Sequence, residues 1–135
     1  RKVIAANDVG RAINPKTLGG QVEGGIVMGL GNCLTEEYIV EDGVPWSTLF
    51  ARYKIPSIKH MPEIVSHFVD EISSGPFGAK GVGEITSINT TPAIANAVCH
   101  ATGVRVYRIP VDQDALLRAL KTGATEVHAT WHDVR

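Results

Sequence analysis

Apolar positions along this chain repeat with two different spacings, and each spacing predicts one kind of element. A short apolar run from Val3 to Asn7 and an alternation of apolar and polar residues from Ile64 to Asp70 predict two strands. Between Gln21 and Leu34, apolar residues recur every three or four positions, which is typical of one helical face. The residues of that face are Val22, Ile26, Leu30 and Cys33.

Proline and capping residues predict where the helices begin and end. Helix starts are expected at Pro15 and Pro92, because each follows a good N-cap residue and proline suits the first helical position. Gly103 is placed to end the second of these helices. Asp112 is expected to cap a last helix that runs through Leu120.

Shorter signals complete the predicted fold. Strands are expected from Glu36 to Val40 and from Val104 to Val111. Pro56 and Pro62 predict an extended, irregular crossing before the strand at Ile64. The residues from Lys121 to Arg135 have little pattern and are predicted to form a loose tail. Interleaved strands and helices without an internal repeat predict an α+β fold over residues 1–120.

Composition narrows the classes of function. The chain has 135 residues, of which 44% are hydrophobic and 20% charged, as expected for one ordinary globular domain. A net charge of -1 and the lack of a basic run argue against nucleic acid as a partner. No apolar run approaches the roughly 18 residues of a membrane span, and no signal peptide is visible, so we expect no membrane partner and a cytoplasmic location. Because the chain begins without methionine and enters a strand at once, we expect it to be a piece of a longer protein.

The cysteines and histidines do not predict a metal site. Cys33 and Cys99 are far apart and belong to no CxxC pair, so we interpret them as buried free thiols and expect neither a zinc ribbon nor an iron–sulfur cluster on this chain. His128 and His132 are four residues apart, but no third ligand has a suitable spacing. The chain is therefore predicted to hold no metal through its own side chains.

A glycine-rich loop from Gly78 to Glu84 is the strongest candidate for chemistry. Its glycines allow close approach of the backbone to a ligand, and it ends in a carboxylate. The loop matches neither of two common nucleotide-binding motifs. Thr86 stands where the dinucleotide-binding motif G-x-G-x-x-G needs a glycine, and Lys80 is followed by Gly81, where a Walker A loop needs Ser or Thr. The loop is predicted to be either a cofactor cradle or an ordinary turn.

The predicted helix that starts at Pro15 carries two further polar candidates. Gln21 offers two donors and an acceptor, which suit a heterocycle edge or a metal-oxo group. Glu23 could pair with Glu84 or face solvent, and sequence gives no distance between them. The helix also contains several glycines at four-residue spacing, which allow another backbone or a flat ligand to come close: Gly20, Gly24, Gly25 and Gly29.

An ordered set of motifs covers nearly the whole chain, from about Val3 to Leu120. Together they resemble the last part of the molybdenum-binding subunit of the molybdenum hydroxylases, the xanthine dehydrogenase and aldehyde oxidase family. Each motif alone is weak, but their order and approximate spacing are those of the family. The motifs are Asp8-Val9-Gly10, Ile13-Asn14-Pro15, Gly20-Gln21-Val22-Glu23-Gly24, Gly29-Leu30-Gly31, Tyr53-Lys54-Ile55-Pro56 and Lys80-Gly81-Val82-Gly83-Glu84.

The resemblance implies a role for each part of the loop. Glu84 would be the general base that deprotonates a molybdenum-bound hydroxyl, in the oxidative hydroxylation of an N-heterocycle or an aldehyde with water as oxygen source. The backbone of Gly81, Val82 and Gly83 would line a molybdenum–molybdopterin cofactor, with or without an appended cytosine nucleotide. Gln21 would contact the pterin or the molybdenum end. The fold would be part of a larger molybdopterin-binding domain.

The resemblance also implies partners. The remainder of the molybdenum subunit would supply most cofactor and substrate contacts, and iron–sulfur clusters and FAD would lie on other domains or subunits. The isolated chain is accordingly expected to be inactive. A non-catalytic docking piece or accessory subunit is the alternative, and an independent nucleotide-binding module is a third hypothesis, which the mismatches to the two nucleotide-binding motifs do not support.

Overall fold

The computed structural model describes residues 2–128, and it has the α+β composition that the sequence predicts. Four helices alternate with six short strands, which pair two by two among these residues. The elements are β1 (Lys2–Asp8), α1 (Pro15–Leu34), β2 (Val40–Glu41), β3 (Val44–Pro45), α2 (Phe50–Tyr53), a 3-10 turn (Ile58–His60), β4 (Glu63–Val69), a second 3-10 turn (Pro76–Gly78), α3 (Ile85–Thr102), β5 (Arg105–Val106), α4 (Gln113–Thr122) and β6 (Glu126–Val127).

The chain forms two compact units. The first consists of Arg1–Gly29 and Ser57–Thr90, and the second of Leu30–Pro56 and Thr91–Arg135. Helices α1 and α3 each begin in the first unit and end in the second. All the residues of the predicted site belong to the first unit.

In the first unit, β1 and β4 form a parallel pair, which confirms the two predicted strands. The register places Ala5 beside Ser66, and the backbone N–H of Val9 extends the pairing by donating to Val69 O at 3.0 Å. The predicted start of α1 at Pro15 is also confirmed. Three of the four residues of its predicted apolar face, Val22, Ile26 and Cys33, are fully covered, whereas Leu30 is half-buried.

Close contact between α1 and α3 explains two of the helical glycines. A Cβ at Gly25 would overlap Thr86 Oγ1, and a Cβ at Gly29 would lie 2.7 Å from Thr90 Cβ. Both threonines are buried, and Thr90 Oγ1 donates to Thr86 O at 2.6 Å. Glycine is therefore required at these two positions by packing within the first unit.

The predicted start of α3 at Pro92 is wrong. The helix begins at Ile85, and Pro92 lies inside it. Proline removes one hydrogen bond from a helix interior. Here the turns before Pro92 are held by Thr86 and Thr90, which pack against the glycines of α1. Tertiary packing thus outweighs the local signal, and Glu84 lies directly before the helix instead of two turns away.

Two of the shorter predicted strands are also largely wrong. Only Val40 of the segment from Glu36 to Val40 is in a strand, because the Glu36 N–H instead donates to Gly31 O at 2.8 Å and completes the end of α1. In the segment from Val104 to Val111 only Arg105–Val106 pairs, and Val111 N donates to Cys33 O at 2.7 Å.

The last helix begins as predicted and extends past the predicted end. Asp112 Oδ1 accepts a hydrogen bond from Ala115 N at 2.9 Å, and Gly123 ends α4 with a φ of 74°. Contrary to the predicted loose tail, Lys121 lies in α4, and Glu126–Val127 pairs in parallel with β5. Residues 129–135 lie outside the described part of the chain.

The two thiols are free, as predicted. Cys33 is buried as predicted, and burial raises its pKa, whereas Cys99, which is also predicted to be buried, is only half-buried. Within residues 2–128, no helix is long and apolar enough to cross a bilayer.

Candidate active site

The glycine loop begins against the end of β1. Lys80 N donates to Val9 O at 3.0 Å, and Arg11 N donates to Gly78 O at 2.9 Å. Gly10 permits this approach, because it has a φ of 54° and a Cβ there would collide with Gly78 O. The first residues of the loop are therefore fixed by the backbone.

A carboxylate reinforces this attachment. Asp8 Oδ1 accepts a hydrogen bond from Gly10 N at 3.0 Å, and Asp8 Oδ2 pairs with the Lys80 ammonium. The hydrogen bond from Lys80, followed by that from Gly10 N–H, holds the pKa of Asp8 below its usual value. Both side chains are partly exposed, at 32% for Lys80 and 41% for Asp8.

The far end of the loop is attached to α1. Gln21 Nε2 donates to Gly83 O at 2.6 Å, which joins two predicted site residues that are 62 positions apart. Gln21 Oε1 accepts no hydrogen bond from residues 2–128. The amide thus holds the loop with one group and leaves its acceptor available.

Glu84 occupies the N-cap position of α3. Its carbonyl oxygen accepts hydrogen bonds from Ser87 N at 3.1 Å, Ile88 N at 3.3 Å and Ser87 Oγ at 2.9 Å. Its side chain is exposed and has no hydrogen bond or ion pair within residues 2–128. The backbone of Glu84 is therefore fixed, while its carboxylate stays unpaired within residues 2–128 in front of the first turn of α3.

Gly81 and Gly83 differ from the other glycines of this region. Neither has a positive φ, and no heavy atom of residues 2–128, apart from the adjoining residues, lies within 4 Å of the position that a Cβ would take. Gly78, in contrast, has a φ of 76°. Neither backbone conformation nor packing within the first unit therefore requires glycine at 81 and 83. Open space above an exposed backbone fits the approach of a flat cofactor.

A surface cavity of about 460 Å³ borders this loop on one side. Gln21 and Val82 line it, together with Arg11, Asn14, Thr17 and Lys80. A larger cavity of about 680 Å³ lies in the second unit and contains none of the predicted site residues. Cavity size alone therefore does not locate the site.

Sequence reasoning did not find the pairing of Asp8 with Lys80. The two residues are 72 positions apart, and no spacing rule connects them. Glu23, which was considered as a partner of Glu84, is exposed and has no bond to it. No sequence signal points to the pair, because a partly exposed lysine does not need a counter-charge.

His128, one of the two histidines of the predicted tail, contacts two side chains of the second unit. His128 Nε2 lies 2.8 Å from Glu126 Oε2, and its ring stacks on Tyr107 with the centroids 4.6 Å apart. His132 lies outside the described residues.

Comparisons with known proteins agree with the resemblance. Residues 1–62 match the family described as molybdopterin cofactor-binding domain. The chain is 40% identical to the gamma subunit of the 6-hydroxypseudooxynicotine dehydrogenase complex of Paenarthrobacter nicotinovorans over 116 residues, which are 82% of this chain and 15% of that protein. It is also 40% identical, over 124 residues, to the aldehyde oxidoreductase molybdenum-binding subunit PaoC of Escherichia coli strain K12, covering 89% of this chain and 17% of PaoC.

Solved structures show the same fold. Quinoline 2-oxidoreductase from Pseudomonas putida 86 aligns with a TM-score of 0.78 at 30% identity and covers 86% of this chain and 15% of its own. An aldehyde oxidoreductase from Desulfovibrio desulfuricans aligns with a TM-score of 0.77 at 35% identity, over 84% of this chain and 12% of that one. The chain thus spans only 12–17% of the length of these relatives. Since it is 40% identical to two of these relatives over 82% and 89% of its length, the chain belongs to the xanthine dehydrogenase and aldehyde oxidase family of molybdenum-dependent oxidoreductases.

Proposed function

We propose that this chain carries the general base and part of the pterin-binding surface of a molybdenum hydroxylase. The reaction is the oxidative hydroxylation of an N-heterocycle or an aldehyde, R–H + H₂O → R–OH + 2H⁺ + 2e⁻. The observation that supports it most is the position of Glu84. Its backbone caps α3, its carboxylate is exposed and unpaired within residues 2–128, and the loop before it is attached at both ends.

Glu84 acts as a proton acceptor in this proposal. When bound, the molybdenum–pterin group supplies the oxidising centre that takes the electron pair from the substrate. A Glu84 carboxylate oxygen accepts the proton of the water-derived nucleophile as that nucleophile attacks the substrate carbon. A lysine at this position would carry the wrong charge, and an amide could not accept the proton.

The neighbouring residues hold the cofactor. Gly81 and Gly83 leave open space where side chains would stand, so the backbone from 81 to 83 can approach a flat pterin. Gln21 keeps a free acceptor for the pterin or the molybdenum end. The cofactor is a molybdenum–molybdopterin, in the simple or the cytosine dinucleotide form.

The remaining parts of the enzyme lie outside this chain. We propose that the rest of the molybdenum subunit completes the cofactor and substrate sites, and that iron–sulfur clusters and FAD lie on partner domains or subunits. Two relatives are named as subunits of larger assemblies, which supports this arrangement. The chain alone is expected to have no activity, and a cytoplasmic location stays a prediction.

Replacing Glu84 by Gln in the complete enzyme tests the proposal. Because the amide has nearly the same shape and cannot accept a proton, turnover should fall by roughly 10²–10⁴-fold, the usual contribution of a positioned acid or base. Molybdenum and pterin content should not change. Glu71→Gln is the matched control, since Glu71 is an exposed carboxylate of the same unit, and it should keep normal turnover. Near-normal turnover of E84Q would contradict the proposal and favour the non-catalytic docking role.

Substrate class is tested separately on the complete enzyme. Steady-state assays with an artificial electron acceptor should detect oxidation within a panel of aromatic aldehydes, purines and pyridine-type heterocycles. Incorporation of oxygen from labelled water into the product distinguishes hydroxylation from simple dehydrogenation. Product without label would contradict the proposed reaction.

A further inference from the structure

We propose that Asp8 and Lys80 form a positioning pair that fixes the start of the glycine loop on the end of β1 and so determines where the Glu84 carboxylate lies. This inference rests on the proposed function of Glu84. Neither residue is placed at the reacting atoms. Both act through the loop that carries the base.

The first argument is the construction of the loop. Lys80 and Glu84 are separated by three residues, and two of these are glycines. In the part of the chain that the structure describes, only the adjoining residues come within 4 Å of a Cβ position at either glycine. Such a segment has little stiffness of its own. The position of Glu84 is therefore determined by the attachments at Lys80, at Gly83 and at the start of α3.

The second argument is that the ion pair belongs to a network. An isolated, exposed ion pair contributes little, because solvent screens it and two side chains must be ordered. Here Asp8 also accepts the N–H of Gly10, a residue with positive φ that lies against Gly78 O. Lys80 is in addition held by its own N–H, which donates to Val9 O. One carboxylate thus stabilises both sides of the contact between β1 and the loop.

The third argument is the comparison with a second ion pair of the same strands. Lys2 and Glu63 pair at 2.8 Å at the opposite end of β1 and β4, with side chains that are 48% and 63% exposed. This pair links two strands that are already joined by backbone hydrogen bonds and touches no part of the loop. The Lys2–Glu63 pair joins a lysine to a carboxylate, as the Asp8–Lys80 pair does, but it lies away from the loop. It is therefore a matched control.

The experiment uses the complete enzyme with Asp8→Asn, Lys80→Met, the double variant, Lys80→Arg and the control Glu63→Gln. Each single change at the pair should lower kcat about tenfold, as expected for a displaced catalytic group, with KM and molybdenum content nearly unchanged. The double variant should be no slower than either single one, because the same contact is lost. Lys80→Arg, which keeps the charge and the donors, should recover most of the rate.

Hydrogen–deuterium exchange supplies a readout that is independent of turnover. The amides from Gly81 to Glu84 should exchange faster in D8N and K80M and normally in K80R and E63Q. Normal kcat together with normal exchange in both D8N and K80M would overturn the positioning role of the pair. A loss of kcat in E63Q as large as that in D8N and K80M would overturn it as well. If E84Q retains turnover, the proposed function fails, whereas the exchange data still decide whether the pair fixes the loop.

Discussion

Gln21 Nε2 donates a 2.6 Å hydrogen bond to the carbonyl oxygen of Gly83, the residue directly before Glu84. A side chain of α1 thereby holds the backbone next to the carboxylate that we propose as the base. Helices position side chains more accurately than free loops do. The hydrogen bond therefore transfers the rigidity of α1 to a segment of two glycines and a valine.

Replacing Gln21 by Ala should weaken both the loop and the cofactor site. We expect kcat to fall by roughly tenfold or more, because the Gly83 carbonyl loses its donor and the base is less well oriented. Molybdenum content should fall as well, if the free Gln21 acceptor contacts the cofactor. Gln113→Ala is the control, since Gln113 is the other glutamine of the chain and is exposed. Metal analysis and steady-state kinetics measure both effects, and a fully active Q21A enzyme would contradict the role of this amide.

Replacing Gly83 by Ala separates a ligand contact from a structural requirement. The backbone of Gly83 has no positive φ and no close neighbour, so alanine should leave the melting temperature of the cofactor-free enzyme unchanged or slightly raised. The methyl group would occupy the space that we assign to the pterin, and pterin content should fall severalfold. Normal pterin content in G83A would place the cofactor elsewhere.

Local sequence signals predicted the parts of the fold whose stability is local. The start of α1 at Pro15, its buried face and the cap at Asp112 depend on residues within a few positions of one another. The start of α3 could not be predicted in this way. It depends on glycines of α1 that are about 60 positions earlier and pack against Thr86 and Thr90.

For the site, too, the local features could be predicted from the sequence and the distant contacts could not. Glu84 and the glycines before it are visible in the sequence as a loop with unusual composition. The contacts that position the loop are made by Asp8 and Gln21, which are 72 and 62 residues away from their partners. Their roles follow only when the register of β1 and the path of α1 are known.

Replacing Gly25 by Ala should destabilise the enzyme. The new methyl group would overlap Thr86 Oγ1, and overpacking of this kind typically costs about 1–3 kcal/mol. In the double variant with Thr86→Ala, the oxygen that the new methyl group would overlap is absent. The double variant should therefore lose less stability than the sum of the losses of the two single variants. Thermal unfolding of the four proteins gives the coupling. Simple additivity would contradict the proposed contact.

Replacing Asp8 by Asn should lower stability at neutral pH and less so in acid. Because Lys80 and Gly10 N–H hold the pKa of Asp8 below its usual value of 3.8, the charged form stabilises the folded state. That contribution is fully present above pH 3.8 and is lost as the pH falls through the lower pKa of the folded state. The melting temperature of D8N should therefore be below that of the wild type at pH 7, and the difference should shrink as the pH approaches 3.

Asp70→Asn serves as control, since Asp70 is exposed and makes no hydrogen bond within residues 2–128, and it should leave the melting temperature at pH 7 unchanged. A difference between D8N and the wild type that grows on acidification would contradict the assignment, because only a raised pKa in the folded state produces that sign.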